Sequence, residues 1–157
     1  MLNDIYNTKI LEYAGNIERV GRLSASQDNA DMATAKAHSK LCGSTIIVDL
    51  KMINGPKGLQ VSDFAHEVKA CALGQAAASI MARHVIGATA CELKELRLAV
   101  YGMLKENGPA PTGKFDDFKF LEAVRDYKAR HASTLLTFDA VVDCIEQIEA
   151  KENLEAV

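Results

Sequence analysis

The alternation of apolar and polar residues predicts three β-strands in the first half of the chain. Small and polar residues alternate from Ala33 to His38, and large apolar residues occupy every second position from Thr45 to Met52. The segment NGPKG favours a tight turn, and the alternation resumes from Val61 to Ala70. The last two strands therefore form a predicted hairpin, and the first strand is joined to them through the segment LCGS.

Helical periodicity dominates the rest of the chain. Apolar residues recur at helical spacing in five segments separated by glycine- and proline-rich stretches, at residues 3–14, 74–87, 92–106, 117–127 and 133–149. Because the strands come first and most helices follow, the order predicts an α+β fold, with a small antiparallel three-stranded sheet packed against about five helices. A length of 157 residues is typical of a single domain, which we expect to span residues 1–157.

Composition and charge argue against several classes of function. The net charge is -3 and hydrophobic residues make up 48% of the chain, which gives no electrostatic reason to expect binding to nucleic acid or to an anionic membrane. The first residues lack a basic stretch followed by an apolar one, and no apolar run approaches about eighteen residues, so we expect a cytoplasmic protein. No phosphate-binding glycine loop, HExxH or GxSxG motif occurs, and no enzyme of those classes is indicated.

Four widely spaced cysteines without a CxxC pair provide no local zinc knuckle. Cys42 precedes Gly43 in the loop between the first two strands, and Cys71 lies between the third strand and the next helix. A cysteine at a helix start faces unpaired amides that favour a reactive or metal-binding sulfur, although a lone cysteine is more often a small buried hydrophobe. Both lie at strand termini and are predicted to meet at one end of the sheet. Cys91 and Cys144 fall in helical patterns, where we expect them in or near the core.

The segment RHAST at 130–134 precedes the last predicted helix. Ser133 is expected to cap this helix, because a serine hydroxyl at a helix start accepts a hydrogen bond from a backbone amide. His131 is the one histidine outside a strand or helix pattern. The other three are predicted to be structural.

Four segments, taken in order, resemble the NifU/IscU/SufU family of iron-sulfur cluster assembly scaffold proteins. They are IYNTKILEYAGN near the N-terminus, LCGS, KACALGQAAASIM and YKARHASTLLTFDAVV. The likeness covers nearly the whole chain, although the first segment lacks the histidine and proline that the family has there. It implies a fold similar to that of the IscU and SufU proteins.

The resemblance also implies a set of site residues at one exposed end of the sheet. Cys42 and Cys71 match two of the family's three cysteine ligands. Ser44 stands where the family has an aspartate, and Ser133 stands where it has the third cysteine. Because serine hydroxyls are weak ligands for iron and zinc, we hypothesise that His131 enters the site, which gives Cys42, Cys71 and His131 as metal ligands with one open position.

The function implied by the resemblance is that of a scaffold or carrier, not an enzyme. It would hold a transient iron-sulfur cluster, or zinc or iron alone, through Cys42 and Cys71. The implied partners are a cysteine desulfurase, the proteins that receive the cluster and a second copy of the chain. Two alternatives stay open, a sulfur acceptor that carries a persulfide from the desulfurase and a degenerate relative that binds no metal.

Overall fold

The sheet has three antiparallel strands that lie in the order in which they occur along the chain. In the computed structural model, which describes residues 7–24 and 30–155, they are β1 (Asp31–His38), β2 (Thr45–Gly55) and β3 (Gly58–Lys69). The central strand β2 pairs with both neighbours, and Thr45 lies opposite His38 and Lys69. The β1–β2 loop and the end of β3 therefore lie side by side at one end of the sheet. The three predicted strands and the hairpin are confirmed.

Four α-helices and two 3₁₀ segments make up the helical part of the described residues. They are α1 (Thr8–Gly15), α2 (Ala72–His84), α3 (Ala90–Lys105), the 3₁₀ segments Gly113–Asp126 and Lys128–Arg130, and α4 (His131–Glu155). The predicted α+β arrangement of a small sheet and about five helices is confirmed, although residues 3–6 of the first predicted helix lie outside the described residues. None of the helices in the described part of the chain is long and apolar enough to cross a membrane.

The predicted helix at 117–127 lies, except for Tyr127, within the longer 3₁₀ segment, and its sequence explains the difference. Its buried apolar residues recur at every third position, at Phe115, Phe118, Leu121 and Val124. This spacing matches the three residues per turn of a 3₁₀ helix better than the 3.6 of an α-helix. The segment, whose backbone is non-helical at Phe115, therefore turns these four side chains towards the core.

One face of the sheet packs against α4. Every second residue of β2 from Ile46 to Met52 is buried, and α4 packs on β1 and β2. Cys144 lies in this layer, with its sulfur 3.5 Å from the carbonyl oxygen of Val48. Burial raises the pKa of Cys144 to about 12, so this cysteine is an unreactive core residue, as the sequence predicts.

The opposite face of the sheet holds a buried carboxylate. The side chain of Asp49 is completely buried, and it accepts hydrogen bonds from Nε of Arg22 at 2.7 Å, from the amide of Leu23 at 2.9 Å and from the hydroxyl of Thr34. Burial alone would raise the pKa of Asp49, but these donors hold it below its usual value. The contacts fasten the segment that follows α1 to the outer face of the sheet.

Candidate metal and sulfur site

The β1–β2 loop carries Cys42 on a hydrogen-bonded turn. The amide of Ser39 donates to the carbonyl of Ser44 at 2.8 Å, and the amide of Gly43 donates to the carbonyl of Ser39 at 2.9 Å. Gly43 has a φ of 73°, a left-handed conformation that glycine adopts without steric cost. The glycine after Cys42 is therefore what allows the turn that exposes this sulfur.

Cys71 lies at the junction between β3 and α2. It directly precedes α2 in an extended conformation, and its side chain makes no capping hydrogen bond to the helix. The half-buried sulfur instead lies 3.3 Å from the hydroxyl oxygen of Ser133. The start of α2 and the first turn of α4 thus meet at this contact.

Gly74 allows these two helix starts to approach each other closely. A Cβ atom at Gly74 would lie 2.8 Å from the Cβ of Ala70 and 3.0 Å from the carbonyl oxygen of Ser133. Three buried alanines follow at 76–78. The small residues after Cys71 therefore serve close packing of α2 against α4.

Cys42 approaches the same end of the sheet from the β1–β2 loop. Its thiol donates to the hydroxyl of Ser44 at 3.0 Å. Hydrogen bonding with the hydroxyls of Ser44 and Ser39 lowers the pKa of Cys42 to about 7, and the Ser133 hydroxyl contributes in the same direction, whereas partial burial opposes the shift. Ser133 therefore contacts the sulfur of Cys71 and also acts on the pKa of Cys42. We call the cluster of Ser39, Cys42, Ser44, Cys71 and Ser133 the cysteine end.

Ser39 is the residue of the cysteine end that the sequence does not reveal. It is only 3% exposed, and its hydroxyl lies close enough to Cys42 to lower the pKa of that thiol. The geometry is nevertheless poor, so within residues 7–24 and 30–155 this oxygen has no well-formed hydrogen bond. A serine three positions before a cysteine has no motif of its own, because only the folded turn brings the two side chains together.

Ser133 does not cap α4, and the sequence prediction for its hydroxyl is wrong. The helix begins two residues earlier, at His131, because the 3₁₀ turn Lys128–Arg130 leads directly into it. Ser133 consequently lies in the first helical turn, where its hydroxyl donates to the carbonyl of Arg130 at 3.3 Å. From this position the same oxygen faces Cys71.

His131 has a different environment from the two cysteines. The side chain is 4% exposed, and its Nε2 lies 3.0 Å from the carbonyl oxygens of both Val124 and Arg125. A ring nitrogen that donates a hydrogen bond has no lone pair for a metal. Within residues 7–24 and 30–155, no group of three or more histidine, cysteine, aspartate or glutamate side chains is placed to hold a metal ion. The ligand role of His131 stays a prediction.

Cys91 is exposed on α3, so the expectation that it lies in or near the core is wrong. The buried side of α3 carries Leu93 and Leu96, and residue 91 lies on the solvent side. Its sulfur is 3.5 Å from the carboxylate of Glu95, which raises the pKa of the thiol. Cys91 therefore provides an exposed thiol outside the cysteine end.

Comparison with known protein families shows to which family the chain that carries the cysteine end is similar. The family model of the NifU-like N-terminal domain matches residues 5–134, a span that contains all five residues of the cysteine end. The chain belongs to this family. The resemblance that the four sequence segments indicate is therefore confirmed at the level of the family.

Solved structures agree with this assignment. A nitrogen-fixing NifU-like protein (N-terminal) from Brucella abortus is 65% identical, with a TM-score of 0.87 and coverage of 96% of this chain and 98% of that chain. A candidate iron-sulfur cluster assembly scaffold protein for the SUF system from Fervidobacterium islandicum is 21% identical, with a TM-score of 0.72 and coverage of 89% and 96%. The second likeness shows a shared fold. No curated protein is significantly similar to this chain.

Proposed function

We propose that the chain is a cytoplasmic scaffold or carrier in iron-sulfur cluster assembly, which holds its cluster transiently through Cys42 and Cys71. The observation that carries this proposal is the contact of the Ser133 hydroxyl with the Cys71 sulfur, together with the lowering of the Cys42 pKa by the same hydroxyl. Membership of the NifU-like family supports it, as does the fold shared with a candidate SUF scaffold protein. The cluster is cargo that the protein receives and passes on.

The donor set accounts for transient binding. A [2Fe–2S] cluster is typically held by four thiolates, and the cysteine end supplies two. The hydroxyls of Ser44 and Ser133 bind iron or zinc more weakly than thiolate does. A second copy of the chain, which contributes its own Cys42 and Cys71, completes a four-thiolate site. We therefore propose that the cluster is shared between two copies.

A second candidate function is favoured by the exposure of Cys42 and its pKa of about 7. A large fraction of this sulfur is thiolate at neutral pH, and thiolate is the nucleophile in sulfur chemistry. It can attack the outer sulfur of a desulfurase persulfide, so that a new S–S bond forms to Cys42 while the donor's S–S bond breaks. The donor cysteine leaves as a thiolate, Cys42 carries the persulfide, and no external oxidant or reductant is needed.

Anaerobic reconstitution tests the scaffold function. The reduced protein is incubated with ferrous iron and sulfide, and the cluster is followed by visible absorption during size-exclusion chromatography. We expect wild type and Cys91→Ala to form cluster in a dimer fraction, and Cys42→Ala and Cys71→Ala to lose most of it. Equal cluster formation by all four proteins contradicts the ligand assignment. Cluster found on the monomer alone contradicts the shared site.

Incubation with a cysteine desulfurase and cysteine tests the second function. A mass increase of one sulfur atom on the peptide containing Cys42, with none on the peptide containing Cys91, supports the acceptor role. If the mass does not increase but the protein forms a cluster, the scaffold role is supported and the acceptor role is contradicted. Failure of wild type in both experiments identifies a degenerate family member that binds neither metal nor sulfur.

A further inference from the structure

The segment that follows α1 wraps around the edge of the sheet that β3 forms. Residues 16–23 start at the end of α1, which packs on α2, and reach the outer face of the sheet, where Arg22 contacts Asp49. On the way they pass the edge strand β3, where Val20 forms an isolated parallel bridge with His66. We call residues 16–23 the strap.

The strap is held by polar contacts and buries little apolar surface. Every one of its residues is exposed or half-buried, and the side chain of Val20 is 66% exposed. Arg19 has a φ of 60°, a left-handed conformation that costs a non-glycine residue conformational energy. A segment with few buried apolar contacts and a strained residue opens more readily than the core does. Closure of the strap therefore depends on its hydrogen bonds.

Hydrogen bonds of the strap converge on His66. The amide of His66 donates to the carbonyl of Arg19 at 3.1 Å, and its carbonyl accepts from the amide of Gly21 at 2.9 Å. The ring adds a further contact, because Nε2 lies 2.8 Å from the carbonyl oxygen of Glu18. Since a carbonyl oxygen can only accept, Nε2 carries the proton of the neutral ring and Nδ1 carries a lone pair. His66 therefore fastens the strap through both its backbone and its ring.

The surroundings of the His66 ring oppose a positive charge. The residue is completely buried and lies edge-on to Phe64, with 4.9 Å between the ring centroids. Among the residues that the structure describes, Nδ1 has no hydrogen-bond partner. A proton on Nδ1 would create a buried charge and an N–H group without an acceptor, and both are unfavourable. Burial accordingly lowers the pKa of His66, and the hydrogen bond to the Glu18 carbonyl opposes this shift only in part.

The charged and titratable groups around His66 do not compensate a charge on its ring. They are Glu18, Arg19 and Arg22 on the strap, Asp63 and Glu67 on β3, Asp49 and Lys51 on β2, Arg83 and His84 on α2, and Cys144 on α4. His66 lies opposite Val48, on the face of the sheet that packs towards the helices, whereas Asp49 and Glu67 act on Arg22 at the outer face. Cys144 is a neutral thiol, because its pKa is about 12. Within residues 7–24 and 30–155, no carboxylate accepts a hydrogen bond from the ring.

We propose that His66 is a proton-operated latch, which holds the strap on β3 while its ring is neutral and releases the strap when Nδ1 takes up a proton from the solvent. Once the strap opens, water reaches the ring and solvates its charge. A released histidine takes up a proton near its ordinary pKa of about 6.5, so acidification below that value favours the open strap. Opening bares the amide and carbonyl of His66 on the edge of β3 and removes a tether between α1 and the sheet. The latch needs neither metal nor sulfur, so it does not rest on the proposed function.

Amide hydrogen exchange followed by NMR at about pH 7.5 and about pH 5 tests the latch in the whole, metal-free chain. The protection factors of the Gly21 and His66 amides, which join the strap to β3, are divided by that of the Leu93 amide in α3. We expect this ratio to fall severalfold at the lower pH in wild type and in His38→Gln, which removes an exposed histidine of β1. It should stay constant in His66→Gln, because a glutamine amide can donate to the Glu18 carbonyl and does not titrate.

Several results overturn the latch. They are a wild-type ratio that does not change with pH, an equal fall in His66→Gln, and a fall that His38→Gln abolishes. A parallel loss of protection at Leu93, with a constant ratio, shows that acid unfolds the whole chain instead of opening the strap. If circular dichroism shows that His66→Gln does not fold, the ring of wild-type His66 decides. Its NMR titration must coincide with the loss of Gly21 protection, and a ring that takes up its proton while the strap stays closed contradicts the proposal.

Discussion

The hydroxyl oxygen of Ser133 lies 3.3 Å from the sulfur of Cys71, although the two residues are 62 positions apart in the chain. The contact joins the first turn of α4 to the start of α2, and the Ser133 hydroxyl also lowers the pKa of Cys42. The resemblance to the family predicts a third cysteine ligand at position 133. The contact shows that the side chain at this position faces Cys71.

Replacement of Ser133 by cysteine should convert the cysteine end into a three-thiolate site. A sulfur at residue 133 faces Cys71 directly, and thiolate binds iron more tightly than a hydroxyl does. We expect Ser133→Cys to retain a reconstituted cluster several-fold longer than wild type in the presence of a chelator. Loss of cluster absorbance with time measures this. Unchanged decay would show that residue 133 does not face the cluster.

Cys42 and Cys91 should differ in the pH dependence of their reactivity. Because the pKa of Cys42 is lowered to about 7 while that of Cys91 is raised, alkylation of Cys42 by iodoacetamide should be half-maximal near pH 7 and that of Cys91 at a clearly higher pH. Peptide mass spectrometry of the metal-free protein separates the two sites. Ser44→Ala should move the Cys42 profile to higher pH, since the thiolate then loses a hydrogen-bond donor. Superimposable profiles for Cys42 and Cys91 would contradict this account.

Gly74 should be intolerant of a side chain. In Gly74→Ala the new Cβ meets the Ser133 carbonyl, a backbone atom that cannot rotate away, so overpacking of about 1–3 kcal/mol exceeds the helix-propensity gain of about 1 kcal/mol. Gly102→Ala is the control, because a Cβ at residue 102 has no neighbour within 4 Å. This substitution should stabilise α3, since alanine favours a helix more than glycine does. Urea denaturation measures both free energies of unfolding. A gain in stability for Gly74→Ala would show that α2 and α4 are not closely packed.

His131→Ala separates a structural role from a ligand role. The contacts of Nε2 with two backbone carbonyls predict that removing the imidazole lowers the free energy of unfolding by about 1–3 kcal/mol. We expect the iron bound per folded chain to stay the same. His131→Gln, which keeps a donor, should recover part of the stability. Loss of iron without loss of stability would instead establish His131 as a ligand.

Most of the fold could be predicted because its signals are local. The alternation in β2 reflects one apolar face, which packs against α4, and the NGPKG segment marks the turn between β2 and β3. The 3₁₀ segment was less predictable, because apolar spacings of three and 3.6 residues hardly differ over a short stretch. The exposure of Cys91 also escaped prediction, since a helical pattern alone does not say how wide the buried side of α3 is.

The cysteine end could be predicted only in part. Cys42 and Cys71 can be recognised as candidates from the local sequence. Cys42 is followed by a glycine, and Cys71 lies at a strand-to-helix junction. The site position of Ser133 was accessible through the family resemblance alone, because its contact with Cys71 depends on the packing of α2 on α4. No sequence motif marks Ser39 as a site residue, since only the turn of the β1–β2 loop brings its hydroxyl near Cys42.

The most direct test of the central claim is the iron and acid-labile sulfide content of protein purified from cells without exposure to oxygen. Wild type and Cys91→Ala should each contain iron and sulfide in equal amounts. Cys42→Ala and Cys71→Ala should each contain only a small fraction of the wild-type iron and sulfide. If the Cys42 and Cys71 variants retain as much iron and sulfide as wild type, the two cysteines do not hold the cluster and the account is contradicted.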